Sequence, residues 1–158
     1  MQTVMVTNDT TSYESERGKP MPSKNHAIVQ SGLICAMKDH RDEFTIVSEL
    51  SLELDGHPMV PDVSVFPKLA VDWQHDEVKL TEAPAWVIEI LSPTQALDDL
   101  VKKADIYFAA GVRSYWIIQP SLKLVVALAP DRDPEFHASG TVREPATGIE
   151  IPIVEIFS

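Results

Sequence analysis

The chain contains 158 residues, of which 13 are basic and 24 acidic, so its formal net charge is −11. This length fits one domain, and 44% hydrophobic with 23% charged residues is typical of globular proteins, which excludes an intrinsically disordered or fibrous chain. A single cysteine, Cys35, excludes a disulfide framework or a cysteine-built zinc site and is typical of the reducing cytoplasm. No apolar run approaches the length that crosses a bilayer, so we expect a cytoplasmic protein without membrane contact.

The first predicted element is a helix over residues 24–38. Residues 1–12 are polar and aperiodic, so we expect a flexible lead there and one domain over residues 13–158. Ser23 is a favourable N-cap for the helix. The buried stripe of this helix is predicted from the apolar residues that recur at helical spacing, which are Val29, Leu33, Ala36 and Met37.

A β-hairpin is predicted to follow this helix. Residues 46–54 alternate between apolar and polar side chains, which indicates a strand, and Asp55-Gly56 is a strong turn signal. A hairpin centred near this turn places Glu49 roughly opposite Ser64 in the returning strand, so that Glu49 and Asp62 share one face of the sheet. A register slip of one residue would separate them.

The second half of the chain predicts a strand–helix–strand unit. A polar excursion over residues 67–84 is typical of a functional or partner-binding segment. The apolar segment 85–91 predicts a central strand, followed by a helix over 95–110 and a strand over 114–119. The crossover should be right-handed and the two strands near-parallel. The whole order indicates an α/β fold in which helices flank a mixed sheet.

Glu89 is the first candidate site residue because it is the only charge within the predicted central strand. An unpaired buried carboxylate is costly, so Glu89 needs a cation, a proton or hydrogen bonds. The two interpretations are a structural salt bridge to a helix lysine and a metal ligand.

Asp62 alone is a weak signal, but three carboxylates, Glu49, Asp62 and Glu89, on one sheet face would suit Mg²⁺ or Mn²⁺. Without a cation their repulsion predicts raised pKa values and an Asp62→Asn variant at least as stable as the parent.

Basic side chains near these carboxylates are the next candidates. Lys102 lies among acidic residues at helical spacing, which is typical of a solvated helix face. Lys103 lies at the apolar border, from which its ammonium could reach the end of the central strand. A surface helix lysine is the simpler interpretation of each, and Lys103 is the candidate if one is functional. His26 lies on the buried stripe of the first helix, where a satisfied core or capping histidine is the more common case.

The ordered set of these residues resembles the PD-(D/E)XK nuclease superfamily, and within it the Uma-two-type branch of restriction-endonuclease-like proteins. The resemblance extends from about Tyr13 to Phe157. It is carried by Tyr13-Glu14 with Gly18 and Pro20-Met21-Pro22, by Asn25-His26, by the strings SELSL from Ser48, PDVSV from Pro61 and IEILSPT from Ile88, by Lys103 through Tyr107 with Ala110-Gly111-Val112, and by Tyr115-Trp116-Ile117-Ile118. It implies a single domain with the restriction-endonuclease-like sheet.

The resemblance also implies a metal-dependent endonuclease, in which Asp62 and Glu89 hold Mg²⁺ or Mn²⁺ and Lys103 stabilises the transition state. Leu91 stands where the superfamily has its lysine, two residues after Glu89, and in this branch the lysine of the following helix, Lys103, takes that position. Three further residues match polar positions of the branch without an assigned role. They are Glu14, Glu49 and His26.

Nucleic acid, and DNA in particular, is the implied substrate. The acidic chain shows no basic stripe, so binding of free duplex should be weak without a targeting partner. The alternative is a non-catalytic interaction module that retains the nuclease scaffold, which explains the acidity and Leu91 but not the retained Asp62, Glu89 and Lys103. A homodimer is expected because Trp73 lies in the polar excursion and Trp86 and Trp116 lie in apolar strands that could extend past the core, and exposed apolar patches commonly mark self-association.

Overall fold

The structure is a computed structural model that describes residues 14–15 and 18–158. The predicted flexible lead over residues 1–12 lies outside the described residues. The helices are α1 (Lys24–Ala36), α2 (Leu97–Ala109) and α3 (Ile153–Ile156), with short 3₁₀ turns at Lys38–His40 and Pro120–Leu122. The strands are β1 (Phe44–Ser48), β2 (Leu52–Leu54), β3 (His57–Met59), β4 (Val63–Pro67), β5 (Trp86–Ile90), β6 (Ser114–Gln119), β7 (Leu124–Ala129), β8 (Arg132–His137), β9 (Thr141–Arg143) and β10 (Glu150–Pro152).

A six-stranded sheet with the order β1-β4-β5-β6-β7-β8 forms the centre of the molecule. Strands β5 and β6 are parallel and α2 connects them, whereas the other neighbouring pairs of this sheet are antiparallel. The pairs β2–β3 and β9–β10 form two small separate sheets. The predicted mixed α/β architecture, with helices against a mixed sheet in one domain, is therefore confirmed.

The two faces of the sheet bury two separate hydrophobic clusters. Helices α1 and α3 contribute to the cluster that contains Val63, Val65 and Trp86, and α2 contributes to the cluster that contains Phe66 and Val87. Because side chains alternate along a strand, Glu89 must share the α2 face with Val87. The sheet thus directs its one internal charge in β5 toward the helix that carries Lys103.

Both long helices form near their predicted positions. In α1 the N-cap is Ser23, whose hydroxyl oxygen accepts a hydrogen bond from the His26 backbone N–H at 3.2 Å, and the helix ends at Ala36 rather than at residue 38. Helix α2 is two residues shorter at its start and one shorter at its end than the predicted range 95–110. Differences of this size are normal for helix ends.

The predicted hairpin is interrupted, and its register is wrong by two residues. Strand β1 ends at Ser48, because Glu49 adopts a left-handed conformation with a φ of 56°. The turn at Asp55-Gly56 is present but closes only the short β2–β3 pair. In the main sheet Ser64 pairs with Val47, not with Glu49. A shift of two residues leaves every side chain on the same face of the sheet. The prediction that Glu49 and Asp62 share a face is therefore unaffected by this register error.

The expected contribution of Trp86 and Trp116 to an exposed patch is wrong. Both side chains are fully buried, and their rings pack edge to face with centroids 4.6 Å apart. Trp73, in the segment between β4 and β5, is 92% exposed. In the described part of the chain, no helix has the length and apolar character needed to span a membrane.

The contact between α1 and α3 depends on a glycine. A Cβ atom at Gly32 would lie 2.8 Å from the Ile156 carbonyl oxygen and 2.9 Å from that of Glu155. We expect Gly32→Ala to lower the free energy of unfolding by about 1–3 kcal/mol, because backbone atoms must move apart. Urea denaturation measures this loss, with the exposed neighbour Ser31→Ala as the control. An unchanged stability would mean that α3 can move away from α1 without cost.

Candidate active site

The site begins with three acidic residues that follow one another across neighbouring strands. Ser48 pairs with Val63 between β1 and β4, and Val63 pairs with Ile88 between β4 and β5. One further step along each register places Glu49 beside Asp62 and Asp62 beside Glu89. The Glu49 backbone N–H does donate to the Asp62 carbonyl oxygen, at 3.1 Å.

The carboxylate of Asp62 is fully buried and is held by donors from three parts of the chain. Its Oδ1 accepts from Lys19 Nζ at 2.7 Å and lies 3.1 Å from His26 Nε2. Its Oδ2 accepts from the Ile90 backbone N–H at 2.7 Å. The Asp62 carbonyl oxygen also accepts from the side-chain amide of Gln30 in α1, at 3.1 Å. Asp62 therefore joins the N-terminal segment, α1 and β5.

These donors reverse the expected pKa of Asp62. Burial alone would raise the pKa, but the hydrogen bond from His26 and the attraction of Lys19 and His26 outweigh burial and lower it to about 2. The prediction of a raised pKa through carboxylate repulsion is thus wrong for Asp62, because its nearest charged neighbours include cations as well as Glu89.

Glu89 is also buried, with its side chain 1% exposed, and its two oxygens have different partners. Its Oε1 lies 3.0 Å from Lys103 Nζ and 3.4 Å from Lys19 Nζ. Its Oε2 accepts from the Tyr107 hydroxyl at 3.1 Å and lies 3.0 Å from the Tyr115 hydroxyl. A buried carboxylate is tolerated here because cations face one oxygen and hydroxyl groups face the other.

The hydroxyl groups of Tyr107 and Tyr115 face Glu89 and are uncharged. Burial and the charge of Glu89 raise the pKa of each hydroxyl, so both stay protonated and able to donate at neutral pH. The Tyr115 hydroxyl also lies 2.8 Å from the Leu100 carbonyl oxygen, and its single proton serves the two acceptors. Tyr115 thereby connects Glu89 to the first turns of α2.

The structure brings most of the predicted site residues together. Asp62, Glu89, Lys103 and His26 belong to one connected group of ion pairs and hydrogen bonds, whereas Lys102 is exposed. Glu49 adjoins the group through its backbone N–H. Their catalytic and metal-binding roles remain predictions.

Sequence reasoning missed Lys19, Tyr107 and Tyr115. Lys19 stands directly between Gly18 and the PMP string, and its side chain is only 3% exposed. A buried glutamate needs donors, and a buried tyrosine hydroxyl needs an acceptor, so matching Glu89 with the tyrosines on the predicted apolar helix face and strand could have found this pair. Nothing local in the sequence signals that Lys19 is buried.

The chemistry of this donor set fits a cation. One oxygen of Asp62 and one of Glu89 converge on a single positive group, the Lys19 ammonium, which marks a cation position between them. Across residues 14–15 and 18–158, however, no cluster of three or more His, Cys, Asp or Glu side chains could enclose a metal ion. Proteins commonly bind Mg²⁺ through one or two carboxylates, with water and phosphate oxygens as the remaining ligands, so a closed protein cage is not required.

Comparison of the chain with known proteins identifies its family. A family model described as "Uma2: Putative restriction endonuclease" matches residues 13–153. The chain belongs to this family. Its structure is also similar to the crystal structure of a "putative nuclease belonging to DUF820 from Anabaena variabilis ATCC 29413", with a TM-score of 0.73 and 26% identity over 87% of this chain and 83% of that chain. No curated protein matches the chain.

Membership of the Uma2 family confirms the resemblance found in the sequence. Together, the family and the structural neighbour support a nuclease function for this Uma2 protein. The two predicted metal ligands, Asp62 and Glu89, lie in the matched range, as do Lys19 and Lys103.

We expect Asp62→Asn to lower the free energy of unfolding at pH 7 by about 3 kcal/mol, because it removes the carboxylate of the closer buried ion pair and leaves the Lys19 ammonium with its longer, 3.4 Å contact to Glu89. Because the pKa of Asp62 is lower in the folded protein than its ordinary value of 3.8, the ionised carboxylate stabilises the fold at pH values above 3.8. About 2 kcal/mol of this stabilisation is lost as the pH falls from 3.8 through the folded-state pKa of about 2. The difference between parent and variant should therefore shrink below about pH 4. Urea denaturation at several pH values without metal measures it, and a variant as stable as the parent at pH 7 would contradict the ion-pair interpretation.

Proposed function

We propose that this protein is a divalent-metal-dependent endonuclease that hydrolyses phosphodiester bonds of nucleic acid, with DNA as the expected substrate. The observation that carries the proposal is the convergence of the Asp62 and Glu89 carboxylates on one cation position, with the Lys103 ammonium beside Glu89. Two carboxylates and a lysine close together can supply metal ligands and a positive charge that stabilises the transition state of phosphodiester hydrolysis. The Uma2 family and the nuclease neighbour support the same reaction.

Asp62 and Glu89 are the residues that would hold Mg²⁺ or Mn²⁺. A bound divalent cation would polarise the phosphoryl oxygen and lower the pKa of an attacking water. The carboxylates are already positioned for this by their other partners: the Ile90 N–H holds Asp62, and the tyrosine hydroxyls hold Glu89. Such fixed ligands lower the reorganisation that the reaction needs.

Lys103 is the best placed residue to meet a phosphate. Its side chain is 24% exposed while its Nζ contacts buried Glu89, so it lies at the border between the site and solvent. Two grooves adjoin the site. One, of about 600 Å³, includes Gln30 and Glu49, and the other, of about 320 Å³, includes Leu91. Gln30 and Glu49 both donate to the Asp62 carbonyl oxygen, so a nucleic-acid strand in the first groove would lie near Asp62.

The net charge of −11 sets a limit on substrate binding. An acidic protein repels free duplex at a distance, so affinity must come from the metal site and from a few local contacts. We therefore propose that a targeting partner brings this nuclease to its substrate. Cleavage of free DNA should accordingly be slow and sensitive to salt.

Plasmid nicking in Mg²⁺ or Mn²⁺ tests the proposed activity. We expect Lys103→Ala to reduce the rate by about 100-fold or more, because it removes a charge that stabilises the transition state. Lys102→Ala is the matched control and should stay within about threefold of the parent, since surface substitutions have small effects. Equal losses in both variants would contradict the assignment of Lys103, and no nicking by the parent with either metal would contradict the activity.

A second candidate is a non-catalytic interaction module. It is supported by the ion pairs themselves, because Lys19 and Lys103 already balance the formal charges of Asp62 and Glu89. Such a module would need these residues only for stability. It predicts an unaltered protein that neither binds Mn²⁺ nor nicks DNA, whereas the nuclease must do both.

We also propose that the protein forms a homodimer through the segment around Trp73. Trp73 is 92% exposed, and Val71 and Val78 in the same segment are 58% and 89% exposed. Apolar exposure of this kind is typical of association surfaces. We expect light scattering to show a dimer that Trp73→Ser converts to a monomer, while Leu122→Ser at a separate exposed position has no effect. A monomeric parent at micromolar concentration would remove the proposal.

A further inference from the structure

Lys19 is a buried charge that has no role in the proposed hydrolysis. Its side chain is 3% exposed, and its ammonium lies 2.7 Å from Asp62 Oδ1 and 3.4 Å from Glu89 Oε1. A lysine is almost never buried to this degree unless it is paired. Here the two carboxylates that pair with it are the two proposed metal ligands.

A short turn presents Lys19 to the site. The Gly18 backbone N–H donates to the Glu14 carbonyl oxygen at 3.0 Å, and the Met21 N–H donates to Glu14 Oε1 at 3.2 Å. Gly18 has a φ of 66°, which a glycine adopts without strain. Glu14 thus has a structural task, since it closes the turn from both sides of Lys19.

The ammonium and a divalent ion cannot share this position. Mg²⁺ binds carboxylate oxygens at about 2.0–2.1 Å, so an ion held by both Asp62 and Glu89 would lie in the space that the Lys19 ammonium fills. Two adjacent cations would also repel each other strongly in a buried site. Furthermore, Asp62 and Glu89 are 0% and 1% exposed, so the Lys19 turn helps to close the carboxylates off from solvent.

We propose that Lys19 is a built-in competitor for the metal: its ammonium occupies the cation position between Asp62 and Glu89, and a divalent ion binds only when Lys19 moves out. This inference rests on the proposed function, because it takes Asp62 and Glu89 as the metal ligands. It adds that the turn over residues 18–21 controls metal affinity. Without metal, Lys19 stabilises the fold by pairing the two carboxylates. Metal loading then requires this turn to open.

Mn²⁺ titration calorimetry on the full chain tests the competition directly. We expect Lys19→Met to bind Mn²⁺ about tenfold more tightly than the parent, because the competing charge is removed. The same variant should melt lower than the parent in EDTA and recover with Mn²⁺, since its carboxylates are paired only by the metal. Lys24→Met, at an exposed position five residues further on, is the matched control and should bind Mn²⁺ as the parent does.

Amine labelling of the unaltered protein tests the same point without a substitution. We expect slow labelling of Lys19 in EDTA and faster labelling in saturating Mn²⁺, with exposed Lys24 labelled equally in both conditions. Mass spectrometry reads both sites in one sample. Labelling of Lys19 that does not respond to Mn²⁺ overturns the displacement of its ammonium.

The outcomes separate this inference from the proposed function. Equal Mn²⁺ affinity in the parent and Lys19→Met, lost in Asp62→Asn, overturns the competition but leaves the metal site. No Mn²⁺ binding by any of the three proteins overturns both. Tighter binding by Lys19→Met without nicking by either protein supports the competition and contradicts the endonuclease.

Discussion

The burial of two carboxylates side by side is the constraint on which this structure depends. Asp62 and Glu89 stand on neighbouring strands with almost no exposure, a placement that would oppose folding if they lacked partners. Hydrogen-bond donors surround both carboxylates. Lys19 from the N-terminal turn contacts both, Lys103 and two tyrosine hydroxyls contact Glu89, and a histidine and a backbone N–H contact Asp62. The elements that flank the sheet are thus tied to one another through its two charges.

Much of the fold could be predicted because its signals are local. Ser23 caps α1 as expected, and the apolar segment around Glu89 forms a central strand parallel to β6. The interruption at Glu49 could not be predicted, since a left-handed residue inside an alternating pattern is set by its surroundings rather than by its own propensity. The burial of Trp86 and Trp116, in contrast, could have been predicted, because segments that are apolar on both faces are typical of the core. Both side chains pack there, although they were expected to contribute to an exposed patch.

The site divides in the same way. Glu89 stands out as a lone charge in a buried strand, and the position of Lys103 relative to the apolar face of α2 separates it from Lys102. Lys19 could not be found, because its burial is created by residues that lie 43 and 70 positions away along the chain. The lowered pKa of Asp62 could not be predicted for the same reason. The sequence indicates the neighbouring carboxylate, which would raise the pKa, but not the nearby Lys19 and His26, which lower it.

Those sequence separations have a consequence for how the protein folds. Bringing residues 70 positions apart into contact requires closure of a long loop, whose entropic cost must be met before the contact gives any stabilisation. Tyr115 adds a partner for Glu89 from β6, which follows β5 in the chain after the α2 crossover. The full set of partners for the two carboxylates therefore depends on long-range contacts, and a partly folded chain that lacks these contacts would contain the acidic residues without the geometry that makes them a site.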